Sequence, residues 1–582
     1  MEVYANNIRI PVSQTLSLRL LNPSYNDVTG YSFPIRLDAR LPEIKRAFGF
    51  AGELPVNWAE EIEGRIRTNQ VDLIGTWKIT EASEDFIEAY FNTNSRNFYA
   101  ELGNKLLSSL DYGGVKYPEG LLAPMDDMID HYESKFEATY PTDEYVCFCA
   151  YTPNAYGEGT TDDTFKIVNE IEYTDEGVLQ LKDKSDGNLT NNSLYLFVGT
   201  VLDYLFAETG YQISKNVFRE DANLMKLVIF NTYNTRLTSA IDYTKLVPRI
   251  PCSEFLKAIT NRFDIGFFID EGNKKVDIMF FDDLVSEGPV SLGTKFRMKP
   301  FADNRRTIGL TFPLNAPDEW SDHNINGVDD FLPFVPIEVD KLRDISPGPL
   351  TLYNVYFVKA ESAYYRITYF ETVYSATRIC MRNFPYTEGD SSGTEVVQYS
   401  GIPGMYTSVL TQTWIEQVWD PELQTYVPVE RTLEVDVVMP RCDLKITDIV
   451  NPNEGFPLMF LFARGLQEGY IAQGEGMPES LTYPFGNNDI YDAIGAEITD
   501  ADLALNWKEA NGLIDAFWLN KINWELNLKK TVRGPLTPED IRILADFSRI
   551  VRIENNNFIV SKLDIELSGD RSEISEAILY RL

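Results

Sequence analysis

The chain has 582 residues, of which 44% are hydrophobic and 13% aromatic. This length exceeds what one hydrophobic core usually serves, so we expect several domains with large cores, and the composition excludes a disordered chain. The formal net charge of -36 at pH 7 argues against nucleic-acid or acidic-membrane binding as the main role.

Residues 1–116 predict a small barrel-like β domain with one packed helix. Apolar and polar residues alternate with the period of strands in segments 8–12, 16–20, 31–37 and 71–79. A turn at Asn22-Pro23 follows the first two strands, and Leu41-Pro42-Glu43 begins a short helix that ends at Gly49. The packed helix, stopped by Gly113-Gly114, has one apolar face made of Phe98, Leu102, Leu106 and Leu110.

Two segments in the middle of the chain predict insertions. Residues 117–190 are rich in acids and turn formers, such as Gly157-Glu158-Gly159-Thr160, and predict an irregular insertion. Residues 191–294 predict an α+β domain, in which one helix ends at Gly210 and a second begins at Ser253. Glu271-Gly272-Asn273 then joins the strands of a hairpin, residues 266–269 and 276–280. The helix faces are Leu194, Val198, Val201 and Leu205, and Phe255, Leu256, Ile259 and Phe263.

The following part of the chain is dominated by predicted strands. Residues 295–450 predict a second β-rich tube or barrel domain, with strands at 352–358, 364–374 and 433–439 and turns rich in Gly and Pro. Residues 451–508 form a turn-rich connection. The sequence contains no internal repeat of fixed period.

Residues 509–582 predict a closing unit of two helices and a hairpin that ends in a terminal strand, residues 574–582. Thr537, followed by Pro, Glu and Asp, has the form of a helix N-cap. Asn555-Asn556-Asn557 suits the tight turn of a hairpin with one buried face, formed by Val551, Ile553, Leu563, Ile565 and Leu567. The first helix carries an aromatic stripe that must be buried, made of Ile514, Phe517, Trp518, the stem of Lys521 and Trp524.

The order of these closing elements resembles the last segment of tail-hub proteins of bacteriophages and prophages. The beginning of the chain resembles the opening of hub-type proteins from phages of Bacteroidetes bacteria, which are similar to late-control-type hubs. The residues that carry this resemblance are Ser17-Leu18-Arg19-Leu20-Leu21-Asn22-Pro23, Tyr31-Ser32-Phe33-Pro34-Ile35, Arg46-Ala47-Phe48-Gly49-Phe50 and residues 98–111. These matches contain no catalytic signature.

The resemblance implies an α+β, β-rich multidomain fold in which hub-type β-barrel tube domains carry α+β insertions. It implies a structural virion protein without enzymatic activity, the baseplate hub at the distal end of the tail tube. Expected partners are two further copies in a homotrimer, tail-tube or distal tail proteins, and fibre or tip proteins. Two similar barrels per subunit would give six quasi-equivalent positions against a hexameric ring. We expect the protein in the virion tail, after assembly in the bacterial host cytoplasm.

The acidity of the chain has two interpretations. Solubility of a solvated surface is the one we favour. The alternative is an acidic lining of the DNA exit channel, because carboxylates repel phosphates and would let DNA pass without specific binding.

Candidate catalytic and metal-binding residues are few, because the chain contains only two histidines, His131 and His323. A helical turn could gather His131 with Asp126, Asp127 and Asp130 as a weak metal site, but a solvated helix face is the better interpretation. No GxSxG elbow, P-loop or HExxH motif occurs. We therefore predict no catalytic residue, no cofactor and no metal site.

Residues 322–330 resemble the first nine positions of a calcium loop. Asp322, Asn324, Asn326 and Asp330 supply oxygen atoms at alternate places, and Gly327 stands at the sharp turn. The twelfth position is Pro333 instead of a bidentate glutamate. An Asx-rich turn is therefore the favoured interpretation.

Paired carboxylates could serve glycoside hydrolysis, and 88 acidic residues supply such pairs by chance. The nominal pairs are Asp282 with Asp283, Glu170 with Glu172, and Asp500 with Asp502. A tail-tip enzyme that degrades cell walls is the first alternative function. The second is a host-surface carbohydrate-binding protein that uses aromatic residues of segment 353–374.

The remaining signals concern cysteines and targeting. The five cysteines form no CxxC pair and are read as small buried hydrophobic residues: Cys147, Cys149, Cys252, Cys380 and Cys442. Residues 1–11 do not have the form of a signal peptide. The apolar stretches 194–207 and 457–463 are interrupted by Asp203 or too short for a bilayer, so no membrane segment is expected.

Overall fold

The structure is a computed structural model, and it describes the chain in part. The described residues are 1–22, 30–51, 61–68, 72–93, 102, 105–115, 125–152, 166–174, 178–182, 191–235, 241–270, 273–283, 288–292, 297–300, 310–312, 337–339, 354–358, 363–370, 373–381, 386–388, 395–396, 404–421, 424–442, 456–468, 470–471, 482–488, 490, 498, 501–505, 511–518, 529–534, 538–553, 555–568 and 571–582.

Helices are short and lie mostly in the middle of the chain. The α-helices are α1 (Pro42–Ala47), α2 (Met125–Glu133), α3 (Val198–Glu208), α4 (Val217–Glu220), α5 (Tyr243–Leu246), α6 (Cys252–Phe263) and α7 (Pro538–Ala545). Two 3-10 helices and a π-helical turn add Leu107–Ser109, Leu224–Lys226 and Ile514–Trp518.

Strands make up most of the regular structure. Before residue 200 they are β1 (Glu2–Ala5), β2 (Ile8–Ile10), β3 (Leu16–Leu21), β4 (Gly30–Ser32), β5 (Ile35–Asp38), β6 (Glu61–Arg67), β7 (Asp72–Ala82), β8 (Phe86–Thr93), β9 (Tyr145–Val146), β10 (Ala150–Tyr151), β11 (Ile167–Val168), β12 (Ile171–Tyr173), β13 (Leu179–Leu181) and β14 (Tyr195–Leu196). From residue 200 to 400 they are β15 (Gln212–Asn216), β16 (Leu227–Ile229), β17 (Ile265–Asp270), β18 (Lys275–Phe280), β19 (Val290–Ser291), β20 (Arg297–Pro300), β21 (Leu310–Phe312), β22 (Ile337–Val339), β23 (Asn354–Val358), β24 (Ala363–Phe370), β25 (Val373–Met381), β26 (Tyr386–Glu388) and β27 (Glu395–Val396). The later strands are β28 (Gly404–Asp420), β29 (Thr425–Arg441), β30 (Phe460–Glu468), β31 (Tyr470–Ile471), β32 (Thr482–Asn487), β33 (Lys529–Gly534), β34 (Val551–Ile553), β35 (Asn556–Ser568) and β36 (Arg571–Arg581).

The two ends of the chain form one sheet, which we call the terminal sheet. It has 14 strands in the order β2-β1-β6-β7-β8-β4-β3-β35-β36-β33-β20, with β5, β34 and β19 attached at its sides. The joining pair is antiparallel and runs from Leu16 opposite Leu567 to Leu21 opposite Lys562. Alternate residues of β3 are buried, as the two-residue period of a strand with one core face requires. The first and last segments of the chain therefore share one core.

The core of the terminal sheet is closed by α1 and by a buried tryptophan. Ile44 and Ala47 of α1 are buried in it. The indole of Trp77 is fully buried and donates a hydrogen bond from Nε1 to the carbonyl oxygen of Tyr4 at 2.9 Å. A Cβ atom placed on Gly64 would lie 2.4 Å from the indole ring, so only glycine leaves room for Trp77 at this position.

A second and larger hydrophobic core, the central core, lies among the segments between the two halves of the terminal sheet. It contains α3, α6 and the sheet β16-β30-β32. Phe460, Leu461 and Phe462 of β30 are fully buried. Residues 460–463 of the apolar stretch 457–463 thus lie in a core strand within the segment that the sequence predicted to be a turn-rich connection.

Two sequence expectations for the first 190 residues differ from the structure. Leu106 and Leu110 do not continue a helix, because Leu106 forms a β-bridge with Pro251 and the residues between Leu106 and Leu110 form a 3-10 turn. Phe98 lies outside the described residues. The segment 117–190, predicted to be irregular, contains α2 and β9 to β13. Its Tyr132 and Phe148 are buried in the central core, where tertiary packing outweighs the weak local signal.

The α+β unit agrees closely with the sequence. α3 and α6 occupy the predicted places, and Gly210 ends the first of them with a φ of 78°. β17 and β18 form the predicted antiparallel hairpin, and β15 adds to β18 in parallel. Asp264 at the end of α6 has a φ of 52°, a left-handed conformation that a short polar side chain tolerates better than an apolar one.

The fold class is therefore α+β, β-rich and multidomain, as predicted. Of the elements predicted for residues 509–582, the structure contains α7, a tight hairpin in which Ile553 lies opposite Asn556, and the terminal strand β36. Where the first helix is predicted, the described residues 514–518 form a π-helical turn. The segment 519–528 of the aromatic stripe lies outside the described residues. Several separate sheets are present, and no closed barrel is found among the described strands, so the barrel-like part of the prediction is not confirmed there.

Candidate functional site

Glu144 is the centre of a compact group of ionisable side chains in the central core. Its Oε1 accepts a hydrogen bond from the hydroxyl of Tyr204 at 2.7 Å, and its Oε2 accepts one from Tyr243 at 2.6 Å. Burial, followed by the hydrogen bond to Glu144, raises the pKa of both tyrosines. The phenols therefore stay protonated as donors, and the carboxylate has both oxygens occupied, which suits a structural role better than that of a general base.

A second polar group fastens α3 to α4 through Asp203, the residue that interrupts the apolar stretch 194–207. Asp203 accepts a hydrogen bond from the Tyr140 hydroxyl at 2.8 Å and from the Arg219 guanidinium at 2.9 Å. The Nε of Arg219 donates to the Tyr140 hydroxyl at 2.9 Å. These contacts supply hydrogen-bond donors to the carboxylate of Asp203 at the edge of the apolar helix α3, which explains why an acid is tolerated there.

The paired carboxylates named from the sequence have other contacts in the structure. Glu170 accepts from the ammonium of Lys182 at 2.7 Å, and Glu172 accepts from the amide of its cross-strand neighbour Gln180 at 2.8 Å. Cross-strand pairs of this kind stabilise a two-stranded ladder. Asp282 and Asp283 are half-buried just after β18 and Asp502 is exposed, whereas Asp500 lies outside the described residues.

His131 lies near the end of α2, half-buried, and its Nε2 is 2.8 Å from the hydroxyl of Tyr145. Burial and the nearby charge of Lys135 lower the pKa of His131. Asp130 is exposed, and the side chains of Asp126 and Asp127 are outside the described set. Among the side chains that are described, no group of three His, Cys, Asp or Glu residues could hold a metal ion.

Two further sequence predictions concern the calcium-like loop and the cysteines. The loop at residues 322–330 lies outside the described residues. Four cysteines are free thiols with buried side chains, which confirms their interpretation as small buried residues, and burial raises the pKa of Cys147 and Cys149. The side chain of Cys380 is outside the described set. Across the described ranges, no helix is long and apolar enough to cross a membrane.

The most distinctive surface is a long hairpin, which we call the arm, made of β28 and β29. Each strand has 17 residues, paired in one register from Gly404 opposite Arg441 to Asp420 opposite Thr425. The base of the arm is held in the central core by Val437 and Met439, and β31 pairs with β29 at Val435 and Asp436. Beyond this point the strands that the structure describes add no further partner to the arm. A strand advances about 3.4 Å per residue, so the outer part spans roughly 30 Å.

The outer end of the arm exposes large hydrophobic side chains. Ile415 is 65%, Trp419 50% and Tyr426 63% exposed. Trp419 and Tyr426 lie opposite each other in the register, and their rings meet edge to face with centroids 5.2 Å apart. The side chains of Val418 and Val427, on the other face, are half-buried. We call the group Ile415, Trp419 and Tyr426 the arm tip.

Neither the arm tip nor the Glu144 group is among the functional residues that the sequence predicts. Two alternating runs on either side of Pro421 are the local signal that could have indicated the hairpin. Its exposure could not be read from this signal, since the same alternation of apolar and polar residues occurs in β35, where the apolar residues are buried. The Glu144 group joins residues up to 99 positions apart, and no local pattern indicates such a group.

Comparisons with known proteins identify no family for the chain. No protein-family model matches it, and no curated protein matches it. Among solved structures, the chain is similar to a 43 kDa tail protein of prophage MuSo2 from Shewanella oneidensis. The likeness covers 100% of this chain and 97% of that chain, at 8% identity and a TM-score of 0.31. A likeness of this degree carries no argument about fold or function.

Proposed function

We propose that the chain is a structural protein of a bacteriophage tail, the baseplate hub that joins the distal end of the tail tube to tip or fibre proteins. One observation supports this most. Residues 17–21, which resemble the opening of hub proteins, lie in β3, and β3 pairs along its whole length with β35 of the closing segment. The two ends that carry the resemblance thus belong to one sheet, although Arg19 and Asp564, which form an ion pair across it, are 545 positions apart.

The proposed activity is assembly, without catalysis. The candidate carboxylates Glu144, Glu170 and Glu172 each accept hydrogen bonds from neighbouring side chains. A catalytic pair must instead present its carboxyl groups to a substrate across a gap of about 5 to 9 Å. Exposed apolar side chains at the arm tip are what an interaction surface requires.

In this proposal the hub is a homotrimer, and hydrophobic burial between subunits holds the ring together. Its further partners are tail-tube or distal tail proteins on one side and fibre or tip proteins on the other. The net charge of -36 fits an acidic channel through which DNA passes without binding, because like charges repel. A map of charge over the lumen of the assembled ring tests this last part, and a neutral or basic lumen would remove it.

The direct test of location is electron microscopy of phage tails that carry a gold-labelled copy of the chain. We expect label at the distal end of the tail tube and at no other place along the tail. Label on the capsid, along the whole tube, or on no particle would contradict the proposal.

The enzymatic alternative is tested by dye release from labelled peptidoglycan. We expect the full chain to release no more dye than buffer alone. Release that is abolished by Glu170→Gln or Glu172→Gln, but not by Glu566→Gln in the exposed row of β35, would favour the cell-wall-degrading function instead. Binding of the chain to an array of host glycans would favour the carbohydrate-binding alternative.

A further inference from the structure

We propose that the arm tip of one copy docks on a surface at α1 of the next copy, so that copies associate head to tail. We call this surface the α1 patch and define it as Leu41, Lys45, Arg46 and Phe50. The proposal deepens the proposed function by naming the contact that builds the ring, and it rests on that function only for the number of copies.

The arm is built in a way that calls for a covering partner. An isolated two-stranded ribbon is marginally stable in water and needs a third strand or a packed surface to hold it. Among the described strands, pairing with a third strand occurs only at the base of the arm. The rings of Trp419 and Tyr426 already restrict each other through their edge-to-face contact, so covering them costs little further conformational entropy.

The α1 patch combines exposed apolar side chains with positive charge. Leu41 is 37% and Phe50 43% exposed. Backbone hydrogen bonds hold the patch together, since the amide of Lys45 donates to the carbonyl of Leu41 at 3.0 Å and that of Phe50 to the carbonyl of Lys45 at 2.8 Å. Lys45 and Arg46 form the basic last turn of the helix.

The backbone of Phe50 gives an independent reason to regard the patch as an interaction surface. Phe50 has a φ of 60°, in the left-handed region that bulky residues rarely adopt. Strained positions cluster at functional sites such as ligand clamps and switch regions, and we take the exposed Phe50 as a contact residue on this ground.

Charge favours a second copy as the occupant. The arm tip has the exposed acid Glu430 directly opposite Ile415 in the register. The patch offers Arg46, exposed in the last turn of α1, while the acid of this helix, Glu43, lies in its first turn. Like charges dominate the rest of the chain, so two copies approach each other favourably only where a basic surface meets an acidic one.

The contact joins two different surfaces, so it is heterologous, and repeated contacts close into a ring where the rotation allows. Covering the exposed parts of the arm-tip side chains removes on the order of 300 Å² from water. A stable interface buries about 800 Å² per partner. Gln417 and Pro428, which are exposed on the same face of the arm as Trp419, and the neighbouring strand backbone must supply the rest, and in a ring every copy uses both its arm and its patch.

Native mass spectrometry and sedimentation of the full chain test this contact with two variants. The arm variant is Trp419→Thr with Tyr426→Thr, because threonine keeps strand propensity. The patch variant is Leu41→Ser with Phe50→Asn, because asparagine tolerates a positive φ. We expect each variant to lose the oligomer of the native chain, with at least a tenfold rise in the dissociation constant. The control Val178→Thr, at an exposed valine elsewhere, should keep the native mass.

Mixing the variants distinguishes a head-to-tail contact from other modes. The arm variant retains a sound patch and the patch variant a sound arm, so an equimolar mixture should form a dimer that neither variant forms alone. A charge exchange gives the second test: Glu430→Arg and Arg46→Glu each weaken association, and the double variant restores it. Circular dichroism spectra like that of the native chain exclude loss of folding as the cause of either result.

The outcomes separate this contact from the proposed hub function. The contact would be overturned by variants that keep the native mass, or by a mixture that forms no dimer. In either case a trimeric native chain would leave the hub proposal in place. If the native chain forms an oligomer other than a trimer and neither variant forms it, the result would support the contact and count against the trimer. A native chain that stays monomeric would overturn both.

Discussion

Two long hairpins of this chain have similar strands and opposite environments. The C-terminal hairpin, β35 with β36, lies inside the terminal sheet with a paired strand on each side. Leu563, Ile565 and Leu567 of β35 are fully buried. The arm has a longer register, yet its outer half exposes Ile415, Trp419 and Tyr426.

Strand-forming residues therefore do not by themselves decide where a hairpin lies. Val, Ile and aromatic residues form strands in both hairpins because they suit a pleated surface. In β35 the neighbouring strands and core cover the apolar face, whereas the described part of the chain offers nothing comparable to the arm tip. The apolar residues of the first hairpin stabilise the fold of one copy, and those of the second are available to another molecule.

The largest effect on stability is expected in the C-terminal hairpin. Ile565→Ala should lower the free energy of unfolding by about 2 to 5 kcal/mol, because it removes buried methyl groups and leaves a cavity. Chemical denaturation of the full chain measures this loss. The matched control Glu566→Ala, one residue further on and exposed, should change the value by no more than about 0.5 kcal/mol. Equal effects of the two variants would show that β35 is not in the core.

The next effect sharpens the comparison by changing the same atom in both environments. Tyr243→Phe removes a buried hydroxyl that donates to Glu144 at 2.6 Å, and hydrogen bonds to charged groups contribute about 1.5 to 3 kcal/mol. Tyr426→Phe removes an exposed hydroxyl at the arm tip and should leave stability unchanged. Thermal and urea melts compare the two variants, and a neutral Tyr243→Phe would contradict the account of the central core.

A third effect depends on pH and tests the pairing of the two ends of the chain. Arg19 contacts Asp564 through two hydrogen bonds, at 2.8 and 3.2 Å. Burial tends to raise the pKa of Asp564, but hydrogen bonds and charge from Arg19 and Lys562 outweigh it, and the pKa is lowered. The ion pair therefore contributes fully above the pKa of an unfolded aspartate, about 3.9, and its contribution is lost as the pH falls through the lowered value.

Asp564→Asn should accordingly cost about 1 to 2 kcal/mol at pH 7. Its difference from the native chain should shrink as the pH is lowered below about 4. Unfolding curves measured at a series of pH values give this difference. A cost that is independent of pH would mean that the charge of Asp564 does not stabilise the pair of β3 and β35.

The smallest effect on stability is expected at the arm tip. Trp419→Thr should change the free energy of unfolding of a dilute, dissociated chain by no more than about 0.5 kcal/mol, since half of the indole is exposed. Denaturation at low protein concentration measures this. A loss comparable with that of Ile565→Ala would show that Trp419 belongs to the core of its own copy.

Local elements could be predicted from the sequence where a short range of residues decides them. α6 begins within one residue of the predicted Ser253, and the hairpin after it needs only the turn at Asn273 and two alternating runs. The tight turn before β35 is predicted at Asn555-Asn556-Asn557, and its place is right to within two residues, since Asn556 and Asn557 already pair with Ile553 and Arg552. Capping, turn chemistry and period act over a few residues, so a single sequence contains them.

Long-range pairings could not be predicted, because nothing in a local pattern specifies a partner strand. β3 and β35 each show an alternating face, but their pairing across more than 500 positions depends on tertiary packing. The segment 117–190 is predicted to be irregular because it is rich in acids and turn formers, whereas its strands, of two or three residues each, are stabilised by the central core. The Glu144 group likewise depends on tertiary packing, because its members come from three separate parts of the chain. The exposure of the arm tip follows only from the strand register and the surroundings of the hairpin.

Native mass spectrometry of the full chain near neutral pH tests the central claim most directly. If the protein acts by associating with copies of itself in the tail, the dominant species should have three times the 66.4 kDa mass of one chain. A single species at the mass of one chain, at all accessible protein concentrations, would contradict the account.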